Sequence, residues 1–567
     1  MFIGRHRELA LLNNAWQSGK PELVIVSGRR RIGKTSLLTE FCRGKNALFY
    51  SALQTNDTSQ RCRFTAALKT AGVPSTRFTE CYEDWDTALS ETAYLPGAGK
   101  KLVVIDELPY MAEQNGALAS ILQHVWDHAL SKGNVMLVLC GSSVSFMDGL
   151  LGAESPLFGR HTALLNLGPL AFHDACAFFP NYSLTDKTAA WAILGGSPQC
   201  LTAFDPAKSL KDNIIDAVLT PGFTLRDAPM TLLRQECREP ARYNDIMRAV
   251  ALGSANLSEI ASKSDIAPPN ALKFLETLAE LGFIRREINA GTTKKGTAKV
   301  RGGLWVPADN FAKFWFEYIW PNQAQLELGG AETFWTETIA PDLNRIVSGP
   351  FEELCRQFIR VLSVCGQLPF KAQSVRRWEN PAGEVDIVAE GAPGKAVLFG
   401  ECKYRNAPMG LGDFLRLKAK AEKYPAGKRF YALFSKEGFE TIIVNNNPET
   451  ALNPRSLSSR PTPKNTCSFL RSLSSVLRGL KCDERCTDSA SCLSVNSPCK
   501  EHHHCARRRT FDLTMKYFDF EICGLKRKLP YVEVAENLAL ASFVCLSHTE
   551  LVQTVAPELV KRLPPVD

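Results

Sequence analysis

The chain has 567 residues, of which 45% are hydrophobic and 22% charged, with a formal net charge of +8. This is an ordinary globular balance that allows large buried cores, spread over about three or four domains at this length, and the charge permits a polyanionic partner without establishing one. Met1–Arg5 leads straight into the first element and no apolar run approaches membrane-spanning length, so a secreted or membrane-embedded protein is not expected and the chain reads as cytoplasmic.

The first strong signal in chain order is the apolar run Leu23–Val26, followed by Gly28, Arg29, Arg30, Arg31, Ile32, Gly33, Lys34 and Thr35. This is the G-x-x-x-x-G-K-[ST] pattern, placed at a strand-to-helix turn because Ser36–Phe41 reads as a helix. Such a loop wraps phosphates: its backbone N–H groups point inward, glycine permits the tight path and the helix presents its positive end. The chain is therefore expected to bind a nucleoside triphosphate, with Lys34 on the β- and γ-phosphates and Thr35 on Mg²⁺. The run Lys101–Ile105 ends in Asp106 and Glu107, which supplies a carboxylate for the metal's water shell and a second to orient attacking water. A further run, Val135–Cys140, leads to Ser142, either a sensor of the terminal phosphate or simply a small residue at a strand end. Strand candidates at 23–27, 47–53, 101–106, 135–141 and 162–168 alternate with helical stretches, as in a parallel sheet covered by helices, and 171–230 reads as a mostly helical lid.

Taken in order, Phe2–Leu9, the Gly28–Thr35 loop, Asp106-Glu107, Gly141–Ser143, Pro156–Arg160 and Gly195-Gly196-Ser197-Pro198 resemble the archaeal-type ATPases, P-loop proteins of the AAA+-related, signal-transducing class. The resemblance implies ATP as the nucleotide, with Ile3–Arg5 near the adenine. It also implies Arg160 as an arginine sensor or finger, unless it only pairs on a surface, and Gly195–Pro198 as the link from lid to nucleotide.

Beyond residue 230 the pattern changes. Helix candidates at Tyr243–Ala251, Leu257–Ala261 and Asn270–Leu281 precede a charged hairpin carrying Lys294, Lys295, Lys299 and Arg301. This is the order of a winged helix over 231–308, used either to grip DNA, with the basic wing on phosphate, or only for protein packing. Phe311, Phe314, Trp315, Phe316 and Tyr318 fall at helical spacing in a connector over 309–344 and read as core.

The segment 345–445 holds a second constellation. Gly383–Val388 and Ala396–Lys403 read as strands, so Glu401 and Lys403 share a face while Cys402 turns away. Asp386 and Glu401 can then share a divalent cation beside Lys403, with Glu352 lent by a helix opening at Gly349-Pro350. This resembles the PD-(D/E)XK nuclease core, although Val385 stands where the name-giving proline would lie. The resemblance implies a restriction-endonuclease-like α/β domain, with or without cleavage activity.

Ten of the eighteen cysteines lie in the first 450 residues, in mostly apolar settings that suit reduced core thiols. Cys482, Cys486, Cys492, Cys499 and Cys505, with His502–His504, can be drawn as a zinc site, but the spacings repeat no paired C-x-x-C knuckle. They lie in 446–514, a Ser-, Arg- and Cys-rich linker that is either translated intergenic sequence or a regulatory tail. Residues 515–567 resemble the start of a purine phosphoribosyltransferase, without that family's phosphoribosyl-pyrophosphate loop, so no transferase activity is expected. The whole reads as an α/β protein: a P-loop parallel sheet with helical lid, a winged helix, then a nuclease-like domain, with ATP, Mg²⁺ and DNA as partners and oligomerisation allowed.

Overall fold

A computed structural model describes residues 2–223, 225–291, 303–380, 383–392 and 394–440, and the segments 517–522, 525–530 and 542–547. The chain divides into two compact units, Met1–Asn181 with Leu194–Arg286 and Trp305–Ala331, and Tyr182–Ile193 with Glu287–Leu304 and Glu332–Asp567.

The first unit is built on a five-stranded sheet of β1 (Glu22–Ser27), β2 (Ala47–Ser51), β3 (Lys101–Asp106), β4 (Val135–Gly141) and β5 (Ala163–Asn166), in the order β2-β3-β4-β1-β5. Every pairing is parallel, as the alternation of strands and helices predicts. The central strands are continuous apolar runs because both faces are covered. Leu23, Ile25, Val103, Ile105, Leu137 and Leu139 enter the core on one side. Val24, Val26, Leu102, Val104, Met136 and Val138 enter the core on the other. The strand order sets β3, β4 and β1 side by side, so the turns leaving their C-terminal ends meet at one edge.

Further along the same unit, helices Pro240–Ala251, Leu257–Lys263 and Pro268–Glu280 pack through Ile246, Met247, Val250, Ile260, Leu275 and Leu278. They are followed by the two-stranded sheet of β6 (Ile284–Glu287) and β7 (Leu304–Pro307). Lys294, Lys295, Lys299 and Arg301 lie outside the described residues. Phe311, Phe314, Trp315, Phe316 and Tyr318 are buried, and Trp315 Nε1 donates to Arg226 O at 2.6 Å.

In the second unit, β8 (Ser374–Asn380), β9 (Gly383–Glu390), β10 (Ala396–Lys403) and β11 (Lys428–Ser435) form a mixed sheet, antiparallel except for β10 with β11. Beyond the short hairpin of β12 (Tyr517–Ile522) and β13 (Leu525–Pro530), β14 (Ser542–Ser547) pairs antiparallel with the outer edge of β11. Helices Ala340–Val364 and Leu411–Glu422 accompany this sheet. The first of these was expected to open at Gly349-Pro350. It starts nine residues earlier and runs through Pro350, because the apolar spacing on both sides outweighs the one backbone bond that proline removes.

Not all early cysteines are thiols. Cys62 and Cys81 form a disulfide, since helix Asp57–Thr70 and the loop after it bring their Cα atoms to 4.4 Å. Eight other described cysteines are free. The Cys and His residues between 482 and 505 lie outside the described residues. No described helix is long and apolar enough to cross a membrane.

Candidate nucleotide site and acidic centre

The turn after β1 is shaped by backbone that few side chains tolerate. Gly28 has φ +148° and Gly33 φ +91°. A Cβ on Gly28 would lie 2.6 Å from Leu167 O, so only glycine lets the loop pass there. Gly33 caps helix Lys34–Cys42. Arg31 and Glu107 also lie in the left-handed region, a concentration of costly backbone that typifies functional turns.

The expected residues of β1, β3 and β4 meet. Thr35 Oγ1 donates to Asp106 Oδ2 at 2.7 Å. The Asp106 side chain also accepts from Glu107 N at 3.1 Å. Ser142 Oγ donates to Glu107 Oε2 at 2.7 Å, with its backbone N–H at 3.3 Å, so Ser142 fixes the Glu107 carboxylate at the mouth of the loop. Lys34 is buried and donates through Nζ to Gly28 O at 2.8 Å and Arg29 O at 3.1 Å. Burial holds this ammonium below its usual range.

Several groups around the loop make contacts that the local motifs do not specify. Arg5 is buried, with Nη2 donating to Ile32 O at 3.0 Å and Gly168 O at 2.7 Å. It therefore ties the phosphate loop to the turn after β5, a long-range role that the local pattern Gly4-Arg5 does not reveal. Arg160 is held by Asp127, with Nε at 2.9 Å and Nη2 at 2.8 Å from its oxygens, a surface ion pair. Gly195–Pro198 abuts the loop: a Cβ on Gly33 would lie 3.4 Å from Pro198 Cγ, and a Cβ on Gly196 only 2.1 Å from Leu170 O. Arg29 and Arg30, expected only as loop positions, form ion pairs with Asp309 at 2.5 Å and Glu236 at 2.6 Å.

The second unit brings together most of the other expected residues. Asp386 on β9 and Glu401 on β10 are buried neighbours, and Asp386 Oδ2 accepts from Cys402 N at 2.7 Å. Burial, then the charge of Glu401, pushes the Asp386 carboxyl up to about 6. Burial, then Asp386, pushes Glu352 up to about 7. Lys403 is raised, because Glu401 and Asp386 outweigh the burial that pulls it down. Its Nζ meets Glu401 Oε1 at 2.5 Å, while Lys420 Nζ lies 3.3 Å from Oε2. Lys420, one helix away in sequence, had no motif to announce it. Among the described residues, no group of three or more His, Cys, Asp or Glu has the arrangement of a metal site. Donors of the chain engage both Glu401 oxygens and one of Asp386.

Comparison with known proteins gives two family matches. Residues 2–204 match the family described as an ATPase domain predominantly from Archaea. Residues 315–422 match a family described as archaeal and bacterial proteins of unknown function. An uncharacterized protein of Methanocaldococcus jannaschii is 30% identical over 408 residues, covering 72% of this chain and 88% of the relative. A second, described as an uncharacterized ATP-binding protein of the same organism, is 44% identical over 45 residues, 8% of this chain and 76% of its own. Among solved structures, the Walker-type ATPase of Pyrococcus abyssi aligns with TM-score 0.42 and 19% identity, over 56% of this chain and 96% of that one. The ORC2 protein of Aeropyrum pernix, in ADPNP–ADP complexes, aligns with TM-score 0.38 and 13% identity, over 57% of this chain and 96% of that one.

Proposed function

Since the chain belongs to the family of P-loop proteins whose ATPase domain is found predominantly in Archaea, we propose that it is an ATP-hydrolysing molecular switch acting in the cytoplasm. The observation that carries this reading is the contact of Thr35 with Asp106 at 2.7 Å, beside a Glu107 held by Ser142. The hydroxyl and carboxylate fit a Mg²⁺ ion, which would supply charge neutralisation at the β- and γ-phosphates. The loop N–H groups and Lys34 bind phosphate, Asp106 orients Thr35, and Glu107 accepts a hydrogen bond from attacking water and aligns it on the terminal phosphorus. Phosphate release from ATP by the full chain, lost in Lys34→Ala, tests it; equal turnover by both proteins would place the hydrolysis elsewhere.

The helices 240–280 with β6 and β7 are proposed as a winged helix directed to DNA, and the second unit as a nuclease-like domain in which Asp386, Glu401 and Lys403 act on a phosphodiester. If a cation binds there, Asp386 and Glu401 are its anionic ligands and it would polarise the scissile phosphate, while Lys403 would stabilise charge on the phosphate oxygens. A second reading, a nucleotide-gated regulator with an inert nuclease fold, is favoured by the lysines on both Glu401 oxygens. Nicking of supercoiled DNA in Mg²⁺ or Mn²⁺, abolished by Asp386→Ala with DNA binding retained, separates the two.

A further inference from the structure

The phosphate loop carries three consecutive arginines, and phosphate binding by the loop backbone and Lys34 needs none of their side chains. Two are engaged by acids from later in the same unit. Asp309 pairs with Arg29 at 2.5 Å while its Oδ1 caps helix Asn310–Phe314 through Ala312 N at 3.0 Å. Arg30 has two partners. Its Nε lies 2.6 Å from Glu236 Oε1, at the last residue of helix Ala228–Glu236, and its Nη2 donates to Tyr110 Oη at 2.9 Å. Tyr110 stands on the short helix that follows Glu107. Burial works against the Arg30 charge, while Glu236, then Tyr110 and last Glu107 favour it. Through Tyr110 the guanidinium is tied to the helix that Glu107 opens, and it stands on the same loop as Lys34, so it is placed to meet charge that develops on a terminal phosphoryl group.

In this arrangement Glu236 neutralises Arg30. A triphosphate brings stronger acceptors to the same place, and a guanidinium prefers phosphate oxygens in a fixed fork geometry. We propose that Arg30 exchanges Glu236 for the γ-phosphate when ATP binds, so that Arg30 is a catalytic residue acting from within the loop and Glu236 is a brake. This rests on the ATPase reading above. Linkage makes the effect reciprocal: whatever holds helix Ala228–Glu236 against Arg30 weakens ATP binding, and ATP frees that helix by the same factor.

The test uses the full chain with Mg²⁺, a slowly hydrolysed ATP analogue and ADP as binding probes, and phosphate release as the rate. Glu236→Gln should bind the analogue about fivefold or more tightly, with ADP affinity unchanged because ADP lacks the competing group. Arg30→Ala should keep ADP affinity but lose about 100-fold in kcat, with partial recovery in Arg30→Lys. In the Arg30→Ala background, Glu236→Gln should add nothing, which a merely structural role for either residue does not produce. If Arg30→Ala does not fold, Glu236→Gln and Arg30→Lys carry the test. Wild-type analogue affinity in Glu236→Gln, or the same gain with Arg30 absent, overturns the brake while leaving the ATPase reading intact. A wild-type chain that neither binds nor hydrolyses ATP overturns both.

Discussion

At the scale of residues, the proposed nucleotide site assigns separable tasks to its side chains. Glu107→Gln keeps its hydrogen bond to Ser142 within reach but loses the charge proposed to orient water, so ATP affinity should hold while turnover falls about 100-fold. Titration of binding beside steady-state phosphate release checks this, and wild-type turnover would remove Glu107 from the water-positioning role. Arg5 acts on architecture. Arg5→Ala removes three charge-assisted bonds, one of them to Glu8, and leaves Ile32 O and Gly168 O without their donor, which should cost about 2–4 kcal/mol in thermal or urea denaturation. A loss below about 0.5 kcal/mol, the range of ordinary surface changes, would show that the loop does not depend on this clamp.

At the scale of elements, the turn Gly195–Pro198 joins the loop to the segments that follow the sheet. Gly196 has no room for a side chain, since a Cβ would lie 2.1 Å from the backbone oxygen of Leu170, whose own N–H donates to Gly196 O at 2.8 Å. Gly196→Ala should therefore shift backbone on both sides, lower the melting temperature and weaken ATP binding together. Differential scanning calorimetry with and without nucleotide reads both, and an unchanged melting temperature would show that the turn has slack. The spacing of Gly-Gly-x-Pro marks this element in sequence. That its crowded partner is Leu170, from the turn after β5, became visible only when the two segments were brought together.

At the scale of the whole molecule, pH bears on the second unit through two buried acids. Glu352 and Asp386 have folded-state values raised to about 7 and about 6, above the usual carboxyl range. The folded chain then holds protons more tightly than the unfolded one, so stability from these groups is full in acid and is lost as pH rises toward 7. In EDTA, unfolding of the second unit should move to lower temperature or urea concentration between about pH 4.5 and 7. Glu352→Gln should flatten that slope, and divalent cation should restore stability at the alkaline end if Asp386 and Glu401 bind it. A slope unchanged in Glu352→Gln would assign the pH dependence to other groups.

The sequence by itself determined what is local: the apolar runs of β1 to β5, the glycine-spaced loop with Lys34 and Thr35, and the strand-end acids Asp106 and Glu107. Each is written within a few neighbouring residues, because strand periodicity and turn chemistry are short-range. Tertiary structure alone decided which distant groups meet. Strand order set Ser142 on Glu107, close packing set Arg5 on Ile32 and Gly168, and helix placement gave Arg30 to Glu236 and Lys420 to Glu401. The same limit explains the acidic centre: alternation along β10 put Glu401 and Lys403 on one face, but only the packed helix brought a second lysine to the same carboxylate. Such pairings depend on long-range geometry and burial, which no short pattern encodes.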